Sequence, residues 1–67
     1  MNANKEIHLG TEVKQKLKSR GMSVAEFARR INRSRNNVYN IFKRQYIDIE
    51  LLQTISAVLE YDFIHNL

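Results

Sequence analysis

Between Phe27 and Ile47 the chain places Arg29, Arg30, Arg33, Arg35, Lys43 and Arg44 and not one acidic residue. Ser34, Asn36, Asn37, Tyr39 and Asn40 are interleaved with these cations. Such a set can make multidentate hydrogen bonds. A guanidinium can bond guanine through O6 and N7, and an asparagine amide can bond adenine through N6 and N7. Charge alone leaves two readings open. The stretch is a footprint for a polyanion, or it is a solvated basic face that keeps the protein soluble.

The charge is unevenly divided along the 67 residues. Residues 1–47 hold all 11 Lys and Arg against Glu6, Glu12 and Glu26, a balance of +8. Residues 48–67 hold Asp48, Glu50, Glu60 and Asp62 and no Lys or Arg, a balance of −4.

Other chemistries have little to work with. The two histidines, His8 and His65, stand at opposite ends of the chain. No Ser–His–Asp arrangement, Gly-rich phosphate loop or paired-carboxylate motif stands out. His8 alone is a poor metal site, and His65 reads as capping a C-terminal turn or facing solvent. The absence of Cys removes disulfides and thiolate metal sites. The expectation is no enzyme, no metal and no small-molecule cofactor. No apolar run approaches the roughly 20 residues of a membrane span, and Met1 to Glu6 is too polar for a signal peptide. A cytoplasmic location follows as an expectation.

These residues must be positioned by a small scaffold. A chain this short makes one domain that buries roughly 60% of its unfolded surface. There is no Pro, and Gly occurs only at Gly10 and Gly21. Helical spacing recurs and strand-like alternation does not. The fold class expected is all-α, a compact bundle of four to five short helices over residues 9–67, behind a flexible N-terminal segment, 1–8.

The first helix is expected over Thr11 to Arg20, with Leu9, Val13 and Leu17 as its apolar stripe. Lys14, Lys16, Lys18 and Arg20 lie off that stripe, and Gly21 closes the helix in the left-handed conformation. The second runs from Val24 to Ile31. Ser23 and Glu26 suit a capping box, and Met22 and Phe27 a hydrophobic staple. Val24, Phe27, Ala28 and Ile31 point inward, and Asn32 ends the helix because Asn tolerates positive φ. The third starts from Ser34 as N-cap and runs to about Lys43, with Val38, Ile41 and Phe42 inward and Arg35, Asn36, Tyr39, Asn40 and Lys43 mostly outward. The fourth follows Asp48 and carries Leu51, Leu52, Ile55, Val58 and Leu59. A last turn or short helix from Asp62 adds Phe63, Ile64 and Leu67. Together with Tyr61 these last apolar residues form either a dimer surface or the end of the core.

Two short helices joined by a tight turn, with the small Ala28 in the first and a cap opening the second, follow the helix-turn-helix plan. That plan also occurs in proteins that never touch DNA.

The order and spacing of several short motifs is more specific. Gly10, Gly21-Met22-Ser23, Glu26-Phe27-Ala28, Ser34-x-x-x-Val38, Leu52-x-x-Ile55-x-x-x-Leu59 and Phe63 together resemble the lambda-repressor-like, Cro-type (XRE) helix-turn-helix family. The resemblance runs from Leu9 to Leu67. It implies a bundle that binds double-stranded DNA, commonly as a homodimer, in bacterial or phage transcription regulation, with repression the usual outcome. Carried over by position, it makes Ser34 to Asn40 the groove-facing part of the third helix. Arg35, Asn36 and Asn40 then stand where family members contact base edges. Tyr39 could touch a thymine methyl or a phosphate, or shield the junction of the second and third helices. Ser23, Arg33, Ser34, Asn37, Lys43 and Arg44 are the expected phosphate contacts, and one of Arg29 and Arg30 would face the DNA.

The chain departs from the family pattern in three places. Val24 stands where a phosphate-binding Gln is frequent, and Asn32 where Gly is favoured. Leu17 and Phe42 stand where many members pair Arg with Glu, so an apolar Leu17–Phe42 contact is expected instead, at little or no loss of stability. The rival to DNA binding is an antitoxin-like protein-interaction module that uses a surface away from the third helix. RNA is a weaker third option, because a rigid helix suits the major groove of B-DNA and not that of A-form RNA.

Overall fold

The computed structural model describes residues 7–66. Four helices account for the fold: α1 (Leu9–Ser19), α2 (Val24–Arg30), α3 (Arg35–Phe42) and α4 (Ile49–Leu59), with no strand among the described residues.

Every helix begins at a residue whose side chain accepts the backbone N–H three positions on. The pairs are His8 with Thr11, Ser23 with Glu26, Ser34 with Asn37 and Asp48 with Leu51. Each cap satisfies one of the N–H groups that a helix start leaves without a partner. The three Ser and Asp caps are those expected from the sequence. α1 instead starts two residues earlier than expected, because the His8 ring takes the capping role. Its Nδ1 accepts from Thr11 N at 3.2 Å and lies 2.8 Å from Thr11 Oγ1. The leading residues 1–6 lie outside the described part of the chain.

Three helices end alike, in the Schellman pattern, in which a left-handed residue turns two N–H groups back onto the last carbonyls. The left-handed residues are Gly21 (φ 71°), Asn32 (φ 62°) and Glu60 (φ 54°). After α1, Met22 N reaches Leu17 O and Gly21 N reaches Lys18 O; after α2, Arg33 N reaches Ala28 O and Asn32 N reaches Arg29 O. After α4, Tyr61 N reaches Ser56 O and Glu60 N reaches Ala57 O. Gly21 and Asn32 match their expected roles. Glu60 is unexpected, since a side chain there costs about 1–2 kcal/mol. Arg20 offsets part of that cost. Its Nε donates to Leu59 O at 2.8 Å and its Nη2 to Glu60 O at 2.9 Å. Arg20 therefore ties the end of α1 to the end of α4, whereas the sequence grouped it with the solvent-facing lysines.

The core is apolar throughout. Phe27, Ile41, Ile55, Leu59, Val13 and Val38 lie at its centre, and no polar or charged side chain is buried among the described residues. Each large side chain so buried stabilises the fold by roughly 1.5–3 kcal/mol. Leu17 is buried with them, while Phe42 and Val24, both expected inside, pack half-buried at the edge. Phe63 closes the bottom of the core, and residues 63–66 form a turn, not a fifth helix. In that turn Asp62 Oδ1 accepts the N–H groups of Ile64 and His65, both at 3.0 Å. Leu67 lies outside the described residues.

The contact that places α3 is made by backbone. Leu9 N donates to Gln45 O and Gly10 N to Arg44 O, each at 2.9 Å. A methyl group on Gly10 would collide with the carbonyl oxygens of Ile41, Phe42 and Arg44. Only a glycine lets the first turn of α1 approach the last turn of α3 this closely.

Candidate nucleic-acid interface

The turn between α2 and α3 is fixed within a few residues. Asn32 reverses the chain in the left-handed region, where Asn strains least among residues with a side chain. Arg33 N is bound to Ala28 O at 2.8 Å. Ser34 then opens extended, and its Oγ accepts from Asn37 N at 3.1 Å. Phe27 and Ala28 of α2, its C-cap Ile31, and Val38 and Ile41 of α3 are all buried, so the two helices are held through their apolar faces.

The other side of α3 faces solvent. Arg35, Asn36, Tyr39, Asn40 and Lys43 are exposed, and their three- and four-residue spacing gathers them on one face. The side chains of Arg35, Asn36, Asn40, Lys43 and Arg44 make no hydrogen bond or ion pair with another described residue. Tyr39 is half exposed, and its ring stands edge-on to Phe42 with centroids 6.2 Å apart. One side of the ring therefore covers the edge of the core, and the other belongs to the open face.

Two of the neighbouring side chains are already engaged. Arg33 Nη1 donates to Asn37 Oδ1 at 3.2 Å. Arg30 pairs with Glu26 at 2.8 Å. That ion pair corrects the expected capping box. Ser23 makes its half by accepting from Glu26 N at 3.1 Å, but the Glu26 carboxylate turns to the cation one turn later and not back to the neutral Ser23 N–H. Of the two arginines at the end of α2, Arg29 is the one without a carboxylate among the described residues.

The sequence from Phe27 to Ile47 holds no acid, and Glu26 is paired with Arg30, but the start of α4 brings Asp48 and Glu50 to a shallow hollow that Ile31 and Arg33 also line. The carboxyl of Asp62 is held below its ordinary value. The cause is first the His65 backbone N–H and then the His65 ring. It belongs to the C-terminal turn and not to the α3 face. Among the described residues no group of acids and histidines could hold a metal ion, and no helix is long and apolar enough to cross a membrane.

Against known proteins, the family model of the Cro/C1-type HTH DNA-binding domain matches residues 12–63. The match takes in most of α1 and the whole of α2, the turn, α3 and α4. The chain belongs to the Cro/C1-type helix-turn-helix DNA-binding family. No curated protein and no solved structure matches it.

In this Cro/C1-type domain the residues singled out in the sequence fall into three places. Arg35, Asn36, Tyr39 and Asn40 share the open face of α3. Arg33, Ser34 and Asn37 surround its start, and Lys43 and Arg44 its end. Ser23 stands apart from both, at the start of α2. The sequence missed the Arg33–Asn37 bond, the Arg20 cap and the role of Gly10. Gly10 had left a signal, since Gly within a helix costs about 1 kcal/mol against Ala and needs a reason. Tyr46 stands 75% exposed just beyond α3, and no local sequence pattern marks it.

Proposed function

We propose that this Cro/C1-type domain is a repressor-like transcriptional regulator that reads double-stranded DNA with α3 in the major groove. Arg35, Asn36, Asn40 and Tyr39 meet base edges. Ser23, Arg33, Ser34, Asn37, Lys43 and Arg44 grip or brace against phosphates on either side. The observation that carries the reading is the set of exposed donors on one face of a rigid helix, without a partner among the described residues and within a stretch of sequence that holds arginines and a lysine and no acid. Base-edge bonds supply sequence preference, about 1–3 kcal/mol for each good bidentate pair, and phosphate contacts supply position. The regulator works as a homodimer on DNA in the cytoplasm of a bacterium or on a phage genome. Its two copies occupy half-sites about one helical turn apart.

The test is selection of a random duplex library on the purified protein. An enriched inverted repeat is expected. Failure to enrich any sequence at low salt overturns the reading and leaves the basic stretch as a solvated face.

A further inference from the structure

The hollow between the α2–α3 turn and the start of α4 gathers charges of both signs. It measures about 180 Å³ and is lined by Ile31, Arg33, Asp48, Glu50, Leu51 and Thr54. Ile31 and Leu51 are buried, which leaves Arg33, Asp48, Glu50 and Thr54 as its polar members.

Each charge is held there by a different local device. Arg33 is anchored twice, through its backbone N–H to Ala28 O at 2.8 Å and through Nη1 to Asn37 Oδ1 at 3.2 Å. Asp48 is the N-cap of α4, and its Oδ2 accepts from Leu51 N at 3.1 Å. Glu50 stands exposed in the first turn of α4, and its carboxylate has no partner among the described residues. Neither acid is paired with Arg33. The guanidinium is bound toward α3, and two carboxylates line the same hollow without neutralising it by contact. The cap explains Asp48, and the helix dipole favours an acid at the position of Glu50. Both acids also act on any anion that approaches Arg33 from the α4 side.

We infer that Glu50, with Asp48, is a specificity-determining element, an electrostatic guard that bars the phosphate backbone from the α4 side of Arg33 and admits it from the α3 side. The inference deepens the DNA-binding reading and rests on it. A duplex in register is held by the base contacts of α3, and its phosphates meet Arg33 where Asn37 holds it. A duplex out of register has no base contact to fix it, and its phosphates are drawn to any accessible cation. In the hollow such a phosphate meets two carboxylates. Like charges set side by side penalise the wrong arrangement. The penalty therefore falls on non-specific complexes more than on the specific one.

Glu50→Gln removes the charge and keeps the shape, and Asp48 is left in place because it caps α4. Affinity of Glu50→Gln for a random duplex is expected to rise several-fold, with a slope against log salt steeper by up to about one. Affinity for the selected inverted repeat is expected to rise less, so the ratio of specific to non-specific binding falls. Glu60→Gln makes the same change of charge at the other end of α4 and is expected to leave that ratio as it was. Equal gains of Glu50→Gln on both duplexes, no gain on either, or the same fall in the ratio from Glu60→Gln overturns the inference. If the unaltered protein binds no duplex at all, the DNA reading has failed, and the guard is judged with inorganic pyrophosphate, followed by NMR at the Arg33 Nε–H. Glu50→Gln is then expected to bind pyrophosphate several-fold more tightly than the unaltered protein, and equal affinities overturn the inference.

Discussion

The guanidinium of Arg33 is hydrogen-bonded to the side-chain oxygen of Asn37, one turn into α3. Asn37 is itself tied down, since its backbone N–H is bound to Ser34 Oγ. Of the three asparagines on α3, Asn37 is thus a brace for a cation, while the exposed amides of Asn36 and Asn40 have no partner among the described residues.

This bond has a measurable consequence. Arg33→Ala is expected to weaken binding to all duplexes and to lower the slope of log affinity against log salt by about one. Asn37→Ala is expected to weaken binding while Arg33 is present and to add nothing once Arg33 is gone. A double-mutant cycle on DNA affinity reads this directly, and additive losses would mean that Asn37 acts on its own.

Specificity and grip should separate along the helix. Arg35→Ala or Asn36→Ala is expected to relax base preference at one position, at about 1–3 kcal/mol. Lys43→Ala is expected to reduce affinity evenly across sequences. Repeating the library selection on each variant distinguishes them, and a changed preference in Lys43→Ala would reverse the assignment of roles.

The two glycines should differ in importance. Gly10→Ala drives a methyl group into three backbone carbonyls, and overpacking of this kind costs about 1–3 kcal/mol or more. Gly21→Ala meets open space and bears only the strain of its positive φ, about 1–2 kcal/mol. Urea unfolding is expected to show the larger loss at Gly10. Equal or reversed losses would mean that the α1–α3 contact is softer than its geometry.

Acid should loosen the C-terminal turn. The Asp62 carboxyl is held below its ordinary value by the His65 backbone N–H, the His65 ring and the N–H of Ile64. A depressed carboxyl stabilises the fold above its unfolded value, near 4, and that contribution is lost as pH falls through the lower folded value. Protection of the Ile64 and His65 amides, taken against the intrinsic exchange rate at each pH, is expected to fall below about pH 4. In Asp62→Asn that pH dependence should be absent.

What could be read from the sequence was whatever a residue does to its own stretch of backbone. Ser23, Ser34, Asp48, Gly21 and Asn32 act within a few positions of themselves, so residue type and place suffice. The α3 face was legible for a similar reason, since the 3.6-residue period sorts Val38 and Ile41 from Asn36 and Asn40. Arg20 was not, because the carbonyls it caps lie 39 and 40 residues away. Glu60 followed from that distant partner and not from its own preference. At Glu26 the sequence offered two local partners, and the cation prevailed over the amide. At the C-terminus, a run of apolar residues could not say which side chains the core would take and which it would leave.

The Gly10 contact makes α3 a lever. The helix is about 12 Å long at 1.5 Å per residue, braced along its flank by α2 and pinned to α1 at the end remote from Ser34. A tilt of roughly 5° at the pin would move Arg35 by about 1 Å, beyond the roughly 0.5 Å within which a binding group must be held. On the proposed reading, the accuracy with which α3 meets the bases is thus set in part by α1, a helix assigned no base contact.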